Sequence, residues 1–365
     1  GVGDGEFISG VFNQTGGDNW VGFAFGVSGT YNLSGDPSTS TLCVDELGTG
    51  LELISGTFNQ NGGTHVSNGN ELILSGAYNL SGGTSGSIFT VSYHEHIAGN
   101  NGSTALFNQT GGTNTTQGNL SVGGGQDSFF WGPVYSFNGN GTYNLSGSTS
   151  QSILAVGGNE HIGQNGNTGT FNQSGGTHTV EGSLEIGDLN PSSVGIYNLL
   201  GGTLTVMGEI VNNDQLYYSG GSLEGNLTND GTVCLNGIGV RTITGDVTNN
   251  GTFNVMKTIA QYTGTFVNNG AYISDPTLNI FNNLVIGVNG YISGEMDDLF
   301  VILGSFENNS ISALWDTSDS SLAFSGEGVH NLYQAGDFTW GALSVYDSML
   351  NLSGTGNLYV RSILG

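Results

Sequence analysis

Two short motifs alternate along the first part of the chain, and this alternation constrains the fold more than any other feature. The motif "FNQ" begins at Phe12, Phe58, Phe107 and Phe171, and the motif "YNL" begins at Tyr31, Tyr78, Tyr143 and Tyr197. Successive motifs are 19–29 residues apart, except for one step of 36 residues. A period of about 20–50 residues is typical of repeat proteins, in which each repeat packs only on its neighbours.

A second signature follows at a similar period. The stretches "TNDGT", "TNNGT", "VNNGA" and "VNGY" end at Thr232, Thr252, Ala271 and Tyr291, which are 19 or 20 residues apart. From Ala313 onward the pattern is looser, although short apolar strands continue. We therefore divide the chain into an alternating Phe-Asn-Gln and Tyr-Asn-Leu repeat (1–222), an Asn-Gly repeat that continues the same stack (223–312) and irregular terminal coils (313–365).

Each repeat contains short strands joined by glycine and asparagine turns. In "THTVEGSLEIG", Val180, Leu184 and Ile186 alternate with polar residues on either side of a turn at Gly182. This period of two is typical of strands with one buried face. A period near 20 residues and like residues at like positions predict an all-β fold, a single-stranded right-handed parallel β-helix (β-solenoid) of about 16–18 coils.

The repeated aromatic residues are the predicted core. In "YNL" the tyrosine and the leucine are two residues apart, so they share one face of a strand. We expect the eight motif aromatics to stack inward, with the following asparagine outward or at a turn. These residues are Phe12, Tyr31, Phe58, Tyr78, Phe107, Tyr143, Phe171 and Tyr197.

The charge is one-sided, with 29 acidic residues against 3 basic ones and a net charge of −26. Nucleic-acid binding and attraction to an anionic membrane both need clustered cations, so neither partner is expected. The sequence has no apolar run long enough to span a membrane.

Cys43 and Cys234 are 191 residues apart, so a linear stack of coils predicts no disulfide between them. The sequence starts at Gly1, which indicates a removed export signal or a fragment.

Two stretches carry a family resemblance: "HIGQNGNTGTFNQSGGTHTVEGSLEIG" (161–187) and "SVGIYNLLGGTLTV" (193–206). They resemble secreted bacterial repeat proteins with a PEP-CTERM sorting tag, and they are similar to autotransporter-associated β-strand repeats. The resemblance implies a parallel β-helix, export, residence at the cell surface or in a matrix, and no enzymatic activity. No sorting tag follows Gly365, so the anchor is expected to be cleaved, missing or never present.

Two groups of residues are candidates for metal binding. His94 and His96 share a face if "HEH" is a strand, but the aligned copy has Asn159 in place of the first histidine. The stretch "GEMDDLF" gathers Glu295, Asp297 and Asp298 without the glycine-spaced aspartates of calcium-binding β-rolls. We therefore expect no cofactor and no dedicated metal site, with calcium binding only as an adventitious event.

Enzymes and ice-binding proteins also use β-helices. A polyuronate lyase needs a cation beside its carboxylates, whereas Arg241, Lys257 and Arg361 are far apart in sequence. A hydrolase with a carboxylate pair needs no cation and stays open, although we expect no enzyme. The motifs "GGTHV", "GGTNT", "GGTHT" and "GGTLT" suggest the threonine arrays that bind ice. Leucine, histidine and asparagine interrupt these threonines, so strand propensity is the simpler interpretation.

The step of 36 residues from Phe107 to Tyr143 indicates an insertion. Insertions in solenoids form loops, often on the binding face, so Phe129, Phe130, Trp131 and Tyr135 form a candidate contact loop for a partner chain or glycan. The alternative is a loop that folds back over its own coil. Six motif asparagines lie in N-x-Ser/Thr sequons and are candidate glycosylation sites: Asn13, Asn32, Asn79, Asn108, Asn144 and Asn172.

Neither end of the sequence carries a polar capping repeat or amphipathic helix, and uncapped strand edges invite pairing with other chains. The sequence therefore predicts an extracellular structural scaffold that assembles as a homo-oligomer or polymer into a surface layer, sheath or filament. The alternative is an adhesin or a carbohydrate-binding, less favourably carbohydrate-cleaving, β-helix with extracellular glycans as partners. In both cases we expect the chain outside the cell or at its surface.

Overall fold

The computed structural model describes residues 5–44, 50–69, 71–82, 86–98, 102–128 and 134–364. These residues form a right-handed parallel β-solenoid of about 15 turns with no α-helix, which confirms the predicted fold class. The chain divides into two compact units, Gly1–Gly208 and Glu209–Gly365.

The first unit consists of short strands. They are β1 (Glu6–Ile8), β2 (Val11–Gln14), β3 (Gly17–Val21), β4 (Ala24–Val27), β5 (Thr30–Gly35), β6 (Ser40–Val44), β7 (Leu51–Ile54), β8 (Thr57–Gly62), β9 (Thr64–Ser67), β10 (Glu71–Leu74), β11 (Ala77–Leu80), β12 (Ile88–Val91), β13 (His94–Ile97), β14 (Thr104–Gln109), β15 (Gly112–Thr116), β16 (Leu120–Val122), β17 (Gly125–Ser128), β18 (Val134–Phe137), β19 (Asn140–Leu145), β20 (Ser152–Val156), β21 (Glu160–Ile162), β22 (Thr168–Val180), β23 (Leu184–Ile186) and β24 (Val194–Asn212), whose end enters the second unit.

Three parallel ladders run through this unit, and each coil contributes one strand segment to each ladder. The Glu face contains β1, β4, β7, β10, β13, β16, β21 and β23. The Phe/Tyr face contains β2, β5, β8, β11, β14, β19 and the first parts of β22 and β24. The Thr face contains β3, β6, β9, β12, β15, β20 and the later parts of β22 and β24.

A continuous aromatic stack fills the core behind the Phe/Tyr face. The seven rings from Tyr31 to Tyr197 are fully buried, and successive centroids lie 4.6–4.9 Å apart. This distance equals the strand spacing of about 4.8 Å, so one ring per coil stacks without a gap. Phe12 departs from the predicted core, since 37% of its surface is exposed. Its ring packs on Tyr31 at 5.0 Å and has no second ring beyond it among the described residues.

The asparagine that follows each motif aromatic faces outward, as period-two alternation predicts. Each Nδ2 donates to the Oδ1 of the preceding asparagine at 2.7–2.9 Å, which gives an unbroken ladder on the outside of the Phe/Tyr face. Its members are Asn13, Asn32, Asn59, Asn79, Asn108, Asn144, Asn172 and Asn198.

The insertion after β16 leaves the parallel stack. Strands β17 and β18 pair antiparallel with each other and form a separate two-stranded sheet. Tyr135 lies in β18, opposite Asp127. The other candidate contact residues, Phe129, Phe130 and Trp131, lie outside the described residues.

The second unit combines strands as short as 3 residues with strands of up to 18 residues. They are β25 (Gln215–Asn229), β26 (Thr232–Leu235), β27 (Val240–Thr244), β28 (Val247–Asn249), β29 (Thr252–Met256), β30 (Ile259–Asn268), β31 (Ala271–Asp275), β32 (Leu278–Ile286), β33 (Tyr291–Ser293), β34 (Leu299–Ile302), β35 (Phe306–Asn308), β36 (Thr317–Gln334), β37 (Phe338–Gly354) and β38 (Leu358–Leu364).

The Asn-Gly signature places an asparagine ladder inside this second unit. Asn212, Asn229, Asn249 and Asn268 are fully buried, and each of the first three donates its Nδ2 to the next Oδ1 at 2.6–2.7 Å. Each also donates to a backbone carbonyl in a neighbouring coil. The inward asparagines therefore provide hydrogen bonds both to one another and to backbone carbonyls at the turns.

Candidate functional site

Polar side chains of the first unit meet on the inner side of the coils in four repeated layers, of which three are buried and the first is half-buried at Glu6 and Asn19. Each layer combines the glutamine of "FNQ", a histidine or asparagine five residues later, a glutamate of the Glu face and the tyrosine hydroxyl of the next coil. The layers are Glu6–Gln14–Asn19–Tyr31, Glu52–Gln60–His65–Tyr78, Glu95–Gln109–Asn114–Tyr143 and Glu160–Gln173–His178–Tyr197. The intervening Tyr-type coils place apolar residues at the equivalent positions.

Two of the layers contain histidine and share one geometry. The Tyr78 hydroxyl donates to Gln60 Oε1 at 2.6 Å, and its oxygen lies 2.9 Å from His65 Nδ1. On the other side of the ring, His65 Nε2 lies 3.0 Å from Glu52 Oε1. Because the tyrosine already donates to glutamine, Nδ1 is the donor to the tyrosine oxygen. The other ring nitrogen, Nε2, faces the Glu52 carboxylate.

The layer around His178 repeats this arrangement. His178 Nδ1 lies 2.9 Å from the Tyr197 hydroxyl, and Nε2 lies 2.8 Å from Glu160 Oε2. Tyr197 donates to Gln173 Oε1 at 2.6 Å. Burial raises the pKa of both tyrosines, Tyr78 and Tyr197, well above the ordinary value, so each hydroxyl keeps its proton.

The layer around Glu95 has asparagine where the other two have histidine. Thr116 Oγ1 donates to Glu95 Oε2 at 2.6 Å, and Asn114 Nδ2 donates to the same oxygen at 3.2 Å. Burial raises the pKa of Glu95 to about 7, with smaller increases from Glu160 and Glu52, while the two hydrogen bonds lower it. A neutral asparagine cannot neutralise a carboxylate. Glu95 itself therefore binds a proton at pH values below its pKa of about 7.

A glutamate, a histidine and a tyrosine in contact could serve acid–base catalysis if a substrate reached them. Glu52, His65 and Tyr78 have no exposed surface, and the same holds for Glu160, His178 and Tyr197. These layers are therefore structural. A polar side chain that leaves its own layer loses its partners, so the layers stabilise one stacking register of the coils.

The two candidate metal groups are divided between the inside and the outside of the solenoid. Glu95 faces the core, whereas His94 and His96 lie on the opposite side of β13 with rings 6.4 Å apart, and His96 is itself buried, with 1% of its surface exposed. His94 Nδ1 accepts a hydrogen bond from the Asn119 backbone N–H at 2.9 Å. Asp298 is likewise buried and accepts from Ser274 and two backbone N–H groups. Across the described ranges, no three His, Cys, Asp or Glu side chains are arranged to hold a metal ion.

Two of the basic side chains have structural partners. Arg241 donates to the backbone carbonyls of Asn236 and Ile238 at 3.0 and 2.7 Å, so it closes its own turn. Arg361 forms an exposed ion pair with Asp319. Cys43 and Cys234 are buried thiols and form no disulfide in the part of the chain that the structure describes.

The outward side of the Thr face carries a regular array, although the sequence predicted only interrupted threonines. The residues that interrupt the threonines in sequence, His65, Asn114, His178 and Leu204, all face the core. The outward positions form two columns in unbroken register. The first column is Thr41, Thr64, Ile88, Thr113, Ile153, Thr177 and Thr203, and the second is Cys43, Val66, Thr90, Thr115, Ala155, Thr179 and Thr205. We call these two columns the threonine strip.

The six candidate glycosylation asparagines all belong to the outer ladder. Five of them use Nδ2, the atom that a glycan would occupy, to donate to the preceding asparagine. A glycan at Asn79 or Asn108 would have to break the ladder and displace neighbours one strand spacing away, about 4.8 Å. The geometry thus favours a structural role for this motif.

The outer surface holds shallow depressions. A cleft of 660 Å³ is lined by glycines and small polar residues around Ile88, Thr113 and Gln151, with no aromatic or carboxylate side chain.

Among the described residues, no helix has the length and apolar character needed to cross a membrane. No protein-family model, no curated protein and no solved structure matches the chain.

Proposed function

We propose that the chain is an extracellular structural scaffold that assembles through contacts between copies. The observation that carries this proposal is the difference between the side chains in the core and those on the outer faces. In the described part of the first unit, the Glu–His–Tyr sets are sealed in the core, whereas the outer faces present regular columns of Asn and Thr. Such an arrangement supports contact over an extended surface more than it supports catalysis at one point.

An apolar patch on the second unit supports self-association. Val329 and Met349 are neighbours on β36 and β37 and are 55% and 61% exposed. Clustered exposed apolar side chains commonly mark protein contacts. We assign this patch to a second copy of the chain. Because each copy carries a net charge of −26, association should strengthen when salt or divalent cations screen the repulsion.

Sedimentation velocity and light scattering of the purified chain test this proposal. Association should increase with salt and with calcium, and Met349→Asp should weaken it by placing a charge in the patch. Met207→Asp is the matched control, since Met207 is equally exposed but lies on the first unit. A chain that stays monomeric under all conditions, or two variants with equal effects, would contradict assembly through this patch.

A further inference from the structure

The threonine strip has properties that the scaffold role does not explain. Of its fourteen positions, nine are threonine and the others are small or apolar, and none carries a charge. This is notable in a chain with 29 acidic residues. The strip lies entirely within the first unit and continues over seven consecutive coils without a bulge between its two columns. Its first coil contains the buried Cys43, and in the coil before that the columns pass to the exposed residues Asp18 and Trp20, where the strip ends.

The strip is also a rigid grid. Successive coils repeat every ~4.8 Å, and the two columns are about 6.7 Å apart along each strand. β-Branched side chains have restricted χ1 rotamers, so methyl and hydroxyl groups keep fixed positions. Two hydroxyls are fixed further, because Thr64 and Thr177 donate to the carbonyls of Pro37 and Thr149 at 2.8 and 2.9 Å.

The dimensions and composition of the strip argue against several occupants. Seven coils span roughly 30 Å and two columns roughly 10 Å, so the strip offers about 300 Å², well below the ~800 Å² per partner of a stable protein interface. An ionic polymer would need charges. Within its seven coils the strip contains no aromatic ring on which a sugar could stack, and the ring in register beyond its end, Trp20, is a single platform, so an extended polysaccharide surface is also disfavoured.

We propose that the threonine strip binds the surface of ice. Ordered water is an uncharged, periodic partner, and a rigid, regularly spaced array of methyl and hydroxyl groups matches both properties. The methyl groups restrict the water molecules around them, and the hydroxyls hydrogen-bond to those waters and hold them in place. Charged side chains would bind their own hydration shells and disrupt such a layer. This activity goes beyond the scaffold role and does not depend on assembly.

The proposal is tested by ice-affinity partitioning of the labelled chain and by inhibition of ice recrystallisation. Thr179→Lys and Thr115→Lys place a charge in the strip, whereas Thr170→Lys places it on the Phe/Tyr face of the same coil as Thr179. We expect the wild-type chain and the Thr170 variant to enter ice and inhibit recrystallisation, and both strip variants to lose these activities. Circular dichroism and the melting temperature verify that each variant is folded.

Three outcomes would overturn the proposal. The wild-type chain could be excluded from growing ice, or the Thr170 variant could lose activity as much as the strip variants do. The chain could instead sediment with insoluble cellulose or chitin in a Thr179-dependent manner without affecting ice, which would assign the strip to a polysaccharide. None of these results bears on assembly, so the scaffold proposal is judged separately by sedimentation.

Discussion

In the core of the first unit, single side chains determine which partner each buried glutamate has. Glu52, Glu95 and Glu160 occupy equivalent positions in register, yet two of them face histidine and one faces asparagine. Glu95 also accepts a hydrogen bond from Thr116, so it differs from the other two glutamates both in lacking an imidazole partner and in its hydrogen bonds. The consequence for Glu95 can be tested by substitution at one position.

Replacing Glu95 should change how stability depends on pH. The unfolded carboxyl loses its proton near its ordinary pKa of 4.5, whereas the folded one keeps it up to a pKa of about 7. The folded state binds more protons between these values, so the free energy of unfolding falls as pH rises through this window and levels off above it. The loss attributable to Glu95 is roughly 3 kcal/mol.

Glu95→Gln should remove this loss, so the variant should gain stability relative to wild type at pH 8 but not at pH 4. Urea denaturation at both pH values measures the difference. Glu181→Gln is the control, since it removes an exposed carboxylate from the same unit. A Glu95 variant whose stability difference from wild type is independent of pH would show that folding does not raise the pKa of Glu95.

A second residue-level prediction compares two histidines. His178→Ala leaves the Glu160 carboxylate buried without its imidazole partner, which should cost about 3–5 kcal/mol. His161→Ala removes a partly exposed pair with Glu185 and should cost about 0–1 kcal/mol. Chemical denaturation of both variants at neutral pH makes the comparison. Equal costs would contradict the structural role of the buried layer.

Period-two alternation was enough to predict which motif residues face inward and which form the outer asparagine column. It could not predict the polar layers, because a glutamine or histidine in a polar motif is ordinarily assigned to solvent. A signal was nevertheless present, since each "FNQ" glutamine is followed five residues later by histidine or asparagine. The same assumption made the threonines of the strip look interrupted in sequence. The interrupting residues face the core, so the outward columns are regular.

At the scale of elements, glycines at the coil corners allow successive coils to approach closely. Gly10, Gly29, Gly56 and Gly76 occupy one column, and a Cβ at Gly56 would lie 2.1 Å from the Gly29 carbonyl oxygen. That carbonyl accepts the Thr57 N–H, so it cannot move away without breaking a ladder bond. The strand spacing therefore requires glycine at Gly29, Gly56 and Gly76, where a Cβ would lie 2.1 Å from a carbonyl oxygen of the preceding coil.

Gly56→Ala should destabilise the first unit by at least about 1–3 kcal/mol, because the new methyl group overpacks against backbone. Gly10→Ala is the matched control in the same column, since a Cβ there meets nothing within 4 Å. Its effect should stay within about 0.5 kcal/mol. Denaturation midpoints provide the measurement, and a Gly56 variant as stable as the Gly10 variant would contradict the close-approach explanation.

The insertion after β16 was predicted as a loop, and the structure gives it the antiparallel pair β17 and β18. Sequence could not show this, since an insertion has no counterpart in neighbouring coils from which to infer pairing. We predict that deleting residues 129–135 weakens assembly or adhesion and leaves β-rich circular dichroism unchanged. Unfolding of the solenoid on deletion would instead indicate that the insertion covers its own coil.

At the scale of the whole molecule, the sequence period and the like-on-like stacking predicted the parallel solenoid. The inward asparagines of the second unit were less predictable, because "NNG" is also a turn signature. Extracellular location and assembly follow from composition, the motif resemblance and the exposed apolar patch, and they stay proposals.

Electron microscopy of the purified chain, imaged across salt and calcium concentrations, tests the scaffold role most directly. The account predicts filaments, sheaths or layers that increase with screening, in which the strand repeat of about 4.8 Å continues through the assembly. Discrete single particles under every condition would contradict it.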